Sequence, residues 1–465
     1  MRDKIALRSF LLLISKTVPL LVQMIIIFVY SRQLSLDEYG QYQSLWLFVN
    51  VLSVIGLFGL PTLLLSHSTN SILNWRKQNK TTFLIAFSIV TILPPLLFFL
   101  FTKEQGTITK MLLIGLVFVQ NISILFETIS IKLEREKRVV FTNILFAVGF
   151  LGWHLAVLYT GYSLDKVLVG LVFLQLGKSI LLFPFRNKTE NIKPEKEDLL
   201  YTGKQWLYLG FNDLLGMLFK WLDKWVILLI VTSAEFAIYF NGSYEIPIFG
   251  LLLSAVGSIL IVELSKYKED FSAKFGAINK GTTLLLSAII FPAFAFLLLY
   301  HESFFILLFS KKYEASIPFF LISIFILPAR ATYSTGALQV LNRSDIITKG
   351  AILDILLAII FIVSLYPIMG AKGIVLAFVL STYIQLGFYI WQTSRLTKTH
   401  FSSFLPIPIL LKFMAISLLF MGIVRYGISY LDIPSIWQLF IGVFCTFILI
   451  SIFLFKEIVN QKVIN

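Results

Sequence analysis

The residues of this chain that could do chemistry are charged and amide side chains set inside long apolar runs. In WLYLGFNDLLGMLFKWLDKWVILL, Asp213, Lys220 and Lys224 are spaced i, i+7, i+11, which on a helix puts all three on one face with Gly216 between them. Asp223 points elsewhere on the same helix. The next run carries Asn241 and Glu245 at i, i+4, followed by Pro247 as a kink. Near the start, Lys16 and Gln23 lie at i, i+7, and Gln43, Trp46, Asn50 and Ser53 form one polar stripe. A charge at the bilayer centre costs about 2.5 to 3.5 kcal/mol on insertion scales, so such groups face a partner or a watery cavity. Lys16, Gln23, Gln43, Asn50, Lys220, Lys224 and Arg330, the last beside Pro328, are therefore candidates to line a net cationic cavity that accepts an anionic headgroup. Asp213, Asp223 and Glu245 are candidates to titrate or to bind a coupling cation. The alternative is that Asp213, Lys220, Asp223 and Glu245 pair among themselves to hold helices together, with Lys16 and Lys224 reaching the interface. Asp223 with Lys224 could equally be a local structural pair. Glu127, His154, Lys178, Asp354, Lys412 and Arg425 occur singly inside apolar runs and read as interface residues or satisfied partners.

The elements that position these residues follow from composition. Apolar residues make up 58% of the 465 and only 14% are charged, with a mean hydropathy of +0.87. A helix needs about 20 mostly apolar residues to cross the hydrocarbon core. Runs of that kind fall at 9–30, 40–65, 82–102, 109–131, 139–160, 164–185, 205–231, 236–262, 280–300, 314–340, 347–368, 371–394, 405–428 and 434–455. The expectation is an all-α, polytopic membrane helix bundle of about fourteen transmembrane helices. Barrel strands of about 10 alternating residues do not fit these runs. The basic start, MRDKIALRSF, runs into the first span without a small-residue cleavage site, which reads as an uncleaved helix. The lone Cys445 excludes an internal disulfide.

Lys and Arg stay in the cytoplasm. The connections on the side of the N-terminus hold 25 of them, the opposite connections seven, and the spans the remaining seven. The even span count and this asymmetry both give N-in and C-in. The net charge of +14 is thus mostly a topology signal and calls for no nucleic acid. The longest loop, 186–204, is a mixed-charge linker. Four scattered histidines and one cysteine form no metal set, no cofactor or nucleophile motif is present, and no large outer loop exists for a membrane glycan polymerase or ligase. The chain reads as a non-enzyme without a metal.

Two stretches repeat. LSLDEYGQY (Leu34 to Tyr42) aligns with VTSAEFAIY (Val231 to Tyr239) at an offset of 197, matching Glu38 to Glu235, Tyr39 to Phe236, Gly40 to Ala237 and Tyr42 to Tyr239. KLEREKRVV (Lys132 to Val140) echoes VLNRSDIIT (Val340 to Thr348) on the cytoplasmic turns after the fourth and tenth spans. Two six-helix repeats at 1–190 and 200–395, with an extra helix pair at 400–465, account for this. Repeats in the same orientation are an arrangement of secondary transporters.

SRQLSLDEYGQY (Ser31 to Tyr42), WLDKWVILLIVTSAEFAIY (Trp221 to Tyr239), LFSKKYEASIPFF (Leu308 to Phe320) and LNRSD followed by YPIMGAKGIVLA (Tyr366 to Ala377) occur in the order seen in one family. With them the chain resembles the polysaccharide-transport flippases of the Wzx type, within the multidrug/oligosaccharidyl-lipid/polysaccharide exporter superfamily. The resemblance implies two six-helix bundles around a cavity that opens alternately to each side of a bacterial cytoplasmic membrane. It implies an undecaprenyl-diphosphate-linked oligosaccharide as substrate, flipped to the periplasmic leaflet for O-antigen or other surface polysaccharide, with ion coupling and no cofactor. A polysaccharide polymerase and a chain-length regulator are the implied partners besides the lipid bilayer. The alternatives are a multidrug exporter of the same superfamily, for which the net cationic cavity is the wrong sign, and a scaffold for glycan-assembly enzymes, for which the cytoplasmic loops are short.

Overall fold

The computed structural model describes residues 2–66, 106–183, 199–267, 271–431 and 433–464. Among them the chain forms helices and turns. They are α1 (Arg2–Gln33), α2 (Leu36–Leu57), α3 (Leu60–Ser66), α4 (Thr107–Lys132), α5 (Glu136–Tyr159), α6 (Leu164–Leu182), α7 (Leu199–Leu228), α8 (Ser233–Gly242), α9 (Pro247–Ser265) and α10 (Phe271–Phe309). A 3-10 turn (Lys311–Ser316), α11 (Ile317–Ser323), two more 3-10 turns (Ile324–Ile326 and Pro328–Ala331) and α12 (Gly336–Val340) follow. The chain ends with α13 (Ser344–Met369), α14 (Ala371–Thr397), α15 (Phe401–Phe404), α16 (Ile407–Ser429) and α17 (Ser435–Ile464).

Ten described segments are long and apolar enough to cross a membrane by length and composition, which makes this a multi-pass membrane protein. The span expected at 82–102 and most of the linker at 186–204 lie outside the described residues. Large apolar side chains such as Phe141, Phe173, Ile423 and Phe444 are more than half exposed. That pattern suits lipid as solvent, where helices associate through packing and interhelical hydrogen bonds rather than through exclusion of water.

Two expected single spans are interrupted. The run 236–262 is two helices, because α8 ends at Gly242 and α9 restarts with Pro247 in its first turn, where a missing N–H costs nothing. Glu245 therefore lies in a break, and its i, i+4 helical relation to Asn241 does not form. The run 314–340 is a series of short helical pieces in which Pro318 and Pro328 each open one and Thr332 is extended, with φ −134° and ψ 144°. Proline cannot donate to the preceding turn, so each one ends the hydrogen-bond ladder before it.

The chain divides into two compact units, Met1–Ala237 and Ile238–Asn465. In the first, α1 packs along α5, α4 along α6, and α7 against α2 and α3. The corner after α2 uses two left-handed residues, Phe58 (φ 38°) and Gly59 (φ 75°). A Cβ on Gly59 would lie 2.4 Å from the Gly210 nitrogen, so only glycine brings this corner onto α7. In the second unit α16 and α17 pack on α10, with the Phe413 and Phe453 rings stacked 4.4 Å apart. The α13 and α14 hairpin turns at Gly370.

Both repeated stretches recur in backbone geometry. Ser35 N donates to Glu38 Oε2 at 2.9 Å and Glu38 N to Ser35 Oγ at 3.2 Å. Thr232 N likewise donates to Glu235 Oε2 at 3.0 Å and Glu235 N to Thr232 Oγ1 at 3.3 Å. These are two capping boxes, each satisfying two otherwise orphaned donors. Tyr39, Tyr42, Phe236 and Tyr239, which follow them, are all buried. At the second pair of repeated turns, Glu134 (φ 58°) and Asn342 (φ 56°) are both left-handed. Arg135 N reaches Ser130 O and Arg343 N reaches Leu338 O; Glu134 N reaches Ile131 O and Asn342 N reaches Gln339 O. The same Schellman closure thus ends α4 and α12.

Candidate functional site

The helix α7 runs unbroken through the charged segment, so Asp213, Lys220 and Lys224 keep their helical spacing. Lys220 is exposed, its Nζ 5.1 Å from the centre of the Trp221 ring. Asp213 is half-buried. Lys224 turns to its neighbour instead, with Nζ 2.8 Å from Oδ2 of the buried Asp223. The opposite side of α7 is fixed by aromatic packing: Trp225 meets Phe48 edge-on at 5.2 Å, and Phe211 meets Phe58 at 5.7 Å.

The other candidates of the first unit divide by exposure. Lys16 and Gln23 are exposed on α1, whose packed side buries Ser15, Ile26 and Tyr30. Gln43 is buried and donates to the Tyr39 hydroxyl at 2.6 Å. Asn50 donates to Trp46 O, one turn back, at 2.8 Å. Single charges elsewhere in this unit have partners. Lys178 pairs with Glu127 at 2.8 Å and lies over the Phe146 ring, while Asn143 Nδ2 donates to the same carboxylate at 3.2 Å. The His154 Nδ1 hydrogen goes to Phe150 O at 2.7 Å, since a carbonyl only accepts, which leaves Nε2 to accept from the Tyr42 hydroxyl at 3.2 Å.

In the second unit, Arg330 Nη2 donates to Glu245 Oε1 at 3.1 Å. The pair joins the break between α8 and α9 to the 3-10 turn Pro328–Ala331. Arg425 donates to Leu299 O and lies 5.2 Å over the Tyr300 ring. Asp354 on α13 differs from the other intramembrane charges described here. It is 0% exposed, and the Ser381 hydroxyl of α14 is the polar group set against its carboxyl. Sequence reasoning set Asp354 aside as a satisfied single charge. The signal that could have raised it is the proline-interrupted run around Pro328, since irregular backbone at membrane depth marks sites in transporters. Among the described residues no His, Cys, Asp and Glu group could hold a metal ion.

Interrupted helices, an exposed cation on a long helix of mostly apolar residues and matched turns are features of membrane transporters. The solved structures agree on that fold. The chain is similar to an inward closed conformation of the lipid II flippase MurJ, with a TM-score of 0.68, 16% identity and coverage of 99% of this chain and 100% of that one. It is also similar to a multidrug resistance MATE family transporter of the MOP superfamily. The inward-facing form gives a TM-score of 0.57 at 12% identity, covering 83% of this chain and 99% of that one. The outward-facing form gives 0.58 at 13% identity, covering 85% and 96%. No curated protein matches the sequence. The profile of the polysaccharide biosynthesis protein family matches residues 29–318, and the chain belongs to that family.

Proposed function

We propose that the protein is a flippase for undecaprenyl-diphosphate-linked oligosaccharide units, carrying them from the cytoplasmic to the periplasmic leaflet of a bacterial cytoplasmic membrane by alternating access. Its N- and C-termini are cytoplasmic, and its two six-helix bundles, 1–190 and 200–395, rock around a central site with 400–465 as an added pair. The observation that carries the reading is the exposed Lys220 on α7 in a chain of the polysaccharide biosynthesis family. A lipid-linked diphosphate needs cations at membrane depth, because charge-assisted contacts are what compensate a desolvated phosphate. Lys220, with Lys16 and Gln23, supplies that surface, while the polyprenyl tail stays in the bilayer. The polymerase and the chain-length regulator that use the flipped unit are its expected neighbours.

The test is complementation of a strain lacking its own flippase, scored by surface polysaccharide. The wild-type chain restores the polysaccharide and Lys220→Ala does not, at equal amounts of folded protein in the membrane. Full restoration by Lys220→Ala would refute the role given to this lysine.

A further inference from the structure

The helix α7 carries two opposite charges that do not meet. Asp213 and Lys220 lie on one face, two turns and so about 10 Å of helix rise apart. Asp213 has no hydrogen-bond or ion-pair partner among the described residues, and Lys220 meets only the Trp221 ring, with Nζ 5.1 Å from its centre. Gly216 stands between the two charges, and among the described residues nothing lies within 4 Å of where a Cβ on it would be. The face therefore opens between the carboxylate and the ammonium. Lys220 also precedes the end of α7 at Leu228 by about 12 Å of rise, which sets the ammonium well inside the helix rather than at its end. A charge in an apolar run is costly without a partner or water, so an unpaired acid and an unpaired base on one open face suit a ligand that answers both.

We propose that this face is a saccharide subsite: Lys220 takes the diphosphate, Trp221 stacks the sugar joined to it, and Asp213 accepts hydroxyl hydrogens farther along the saccharide, across the opening at Gly216. The covalent order of a glycosyl diphosphate fits this arrangement. Its first sugar hangs directly from the phosphate, so a phosphate on the Lys220 ammonium brings that sugar to the neighbouring indole. Sugar rings present C–H faces of slight positive charge, which the negative face of an indole attracts. Sugar hydroxyls donate, and an ionised carboxylate only accepts, with two oxygens for two hydroxyls. Hydrogen bonds to a charged group are the stronger kind, which suits an acid to this position. A prenyl diphosphate without sugar engages Lys220 alone. The subsite rests on the flippase reading for its substrate, and it adds the residues that tell a sugar-bearing lipid from a bare one.

The test is equilibrium binding of two probes to the purified protein in nanodiscs: a short prenyl diphosphate carrying a disaccharide, and the same prenyl diphosphate without sugar. Wild type should bind the sugar-bearing probe at least about tenfold more tightly, the contribution of one charge-assisted hydrogen bond. Trp221→Leu and Asp213→Ala should each pull that ratio toward one while leaving affinity for the bare probe in place. Trp221→Phe, which keeps a π face, should keep most of the preference. Lys220→Ala should weaken both probes by a similar factor and leave the ratio unchanged. Melting curves establish that each variant is folded. A ratio of one in wild type, or a ratio unchanged in either Trp221→Leu or Asp213→Ala, overturns the subsite. A wild type that shows the expected preference but does not flip the sugar-bearing lipid in proteoliposomes counts against the flippase reading and leaves the subsite standing.

Discussion

Each unit carries a constellation of charge within its apolar runs, and the two are built differently. In the first, Glu127, Asn143 and Lys178 come from three continuous helices, α4, α5 and α6, and the Lys178 ammonium and both Glu127 oxygens are engaged. In the second, Glu245 and Arg330 sit at helix interruptions, and Arg330 Nε remains unmatched. The same residue types therefore form a fully engaged set where the backbone ladder is complete and an incompletely engaged one where it is broken. Regular helices leave no slack for a side chain to change partners, whereas a break supplies both slack and backbone groups to satisfy it.

The contrast can be broken by mutation, starting with the largest effect. Lys178→Ala should destabilise the first unit by about 3 kcal/mol by stranding the Glu127 carboxylate, read as loss of thermal stability in detergent. Adding Glu127→Leu should recover most of it, because removing both partners removes the stranded charge. In the second unit, Asp354→Asn should stay within about 1 kcal/mol of wild type, since the amide oxygen still accepts from the Ser381 hydroxyl. Equal losses at the two sites would erase the distinction.

The turns that open α2 and α8 give an intermediate effect. A Cβ on Gly40 would lie 1.8 Å from the Ser233 carbonyl oxygen, so Gly40→Ala should cost about 2 kcal/mol through overpacking. Ala237→Gly, at the matching position of the second turn, should cost less than about 1 kcal/mol. Thermal denaturation of the two variants side by side orders them. The two capping boxes give the smallest effect. Thr232→Ala should cost about 1 kcal/mol. The hydrogen bonds from the Thr232 backbone N–H and hydroxyl hold the Glu235 carboxyl below the usual carboxylate range. A depressed acid contributes stability above its unfolded pKa and loses it as pH falls through the folded value. The gap between wild type and Thr232→Ala should therefore close on acidification below about pH 4, which a pH series of melting curves would show.

What was legible in the sequence is what nine or fewer residues decide. Ser35 with Glu38, and Thr232 with Glu235, are capping boxes by spacing alone, and the Arg135 and Arg343 turns close through bonds spanning five residues. The charged side of α7 was legible because two helical turns relate Asp213 to Lys220. Partner choice was not: Lys224 turns to adjacent Asp223, and Gln43 is taken up by Tyr39. The Glu245 and Arg330 pair joins positions 85 residues apart, and periodicity carries no information across that distance. Nor does it see the breaks, since the apolar run continues through Pro247 and Pro328 while the hydrogen-bond ladder stops. The need for glycine at Gly40 is likewise set by Ser233, far along the chain.

The central claim is that this chain moves a lipid-linked diphosphate past the cation on α7. The direct measurement is the rate at which purified protein in proteoliposomes exposes an undecaprenyl-diphosphate oligosaccharide to an enzyme added on the outside. The account predicts flipping by the wild type and at least a roughly tenfold slower rate for Lys220→Ala, the equivalent of about 1.4 kcal/mol, at equal incorporation. Equal rates for the two proteins, or no flipping by the wild type, would contradict it.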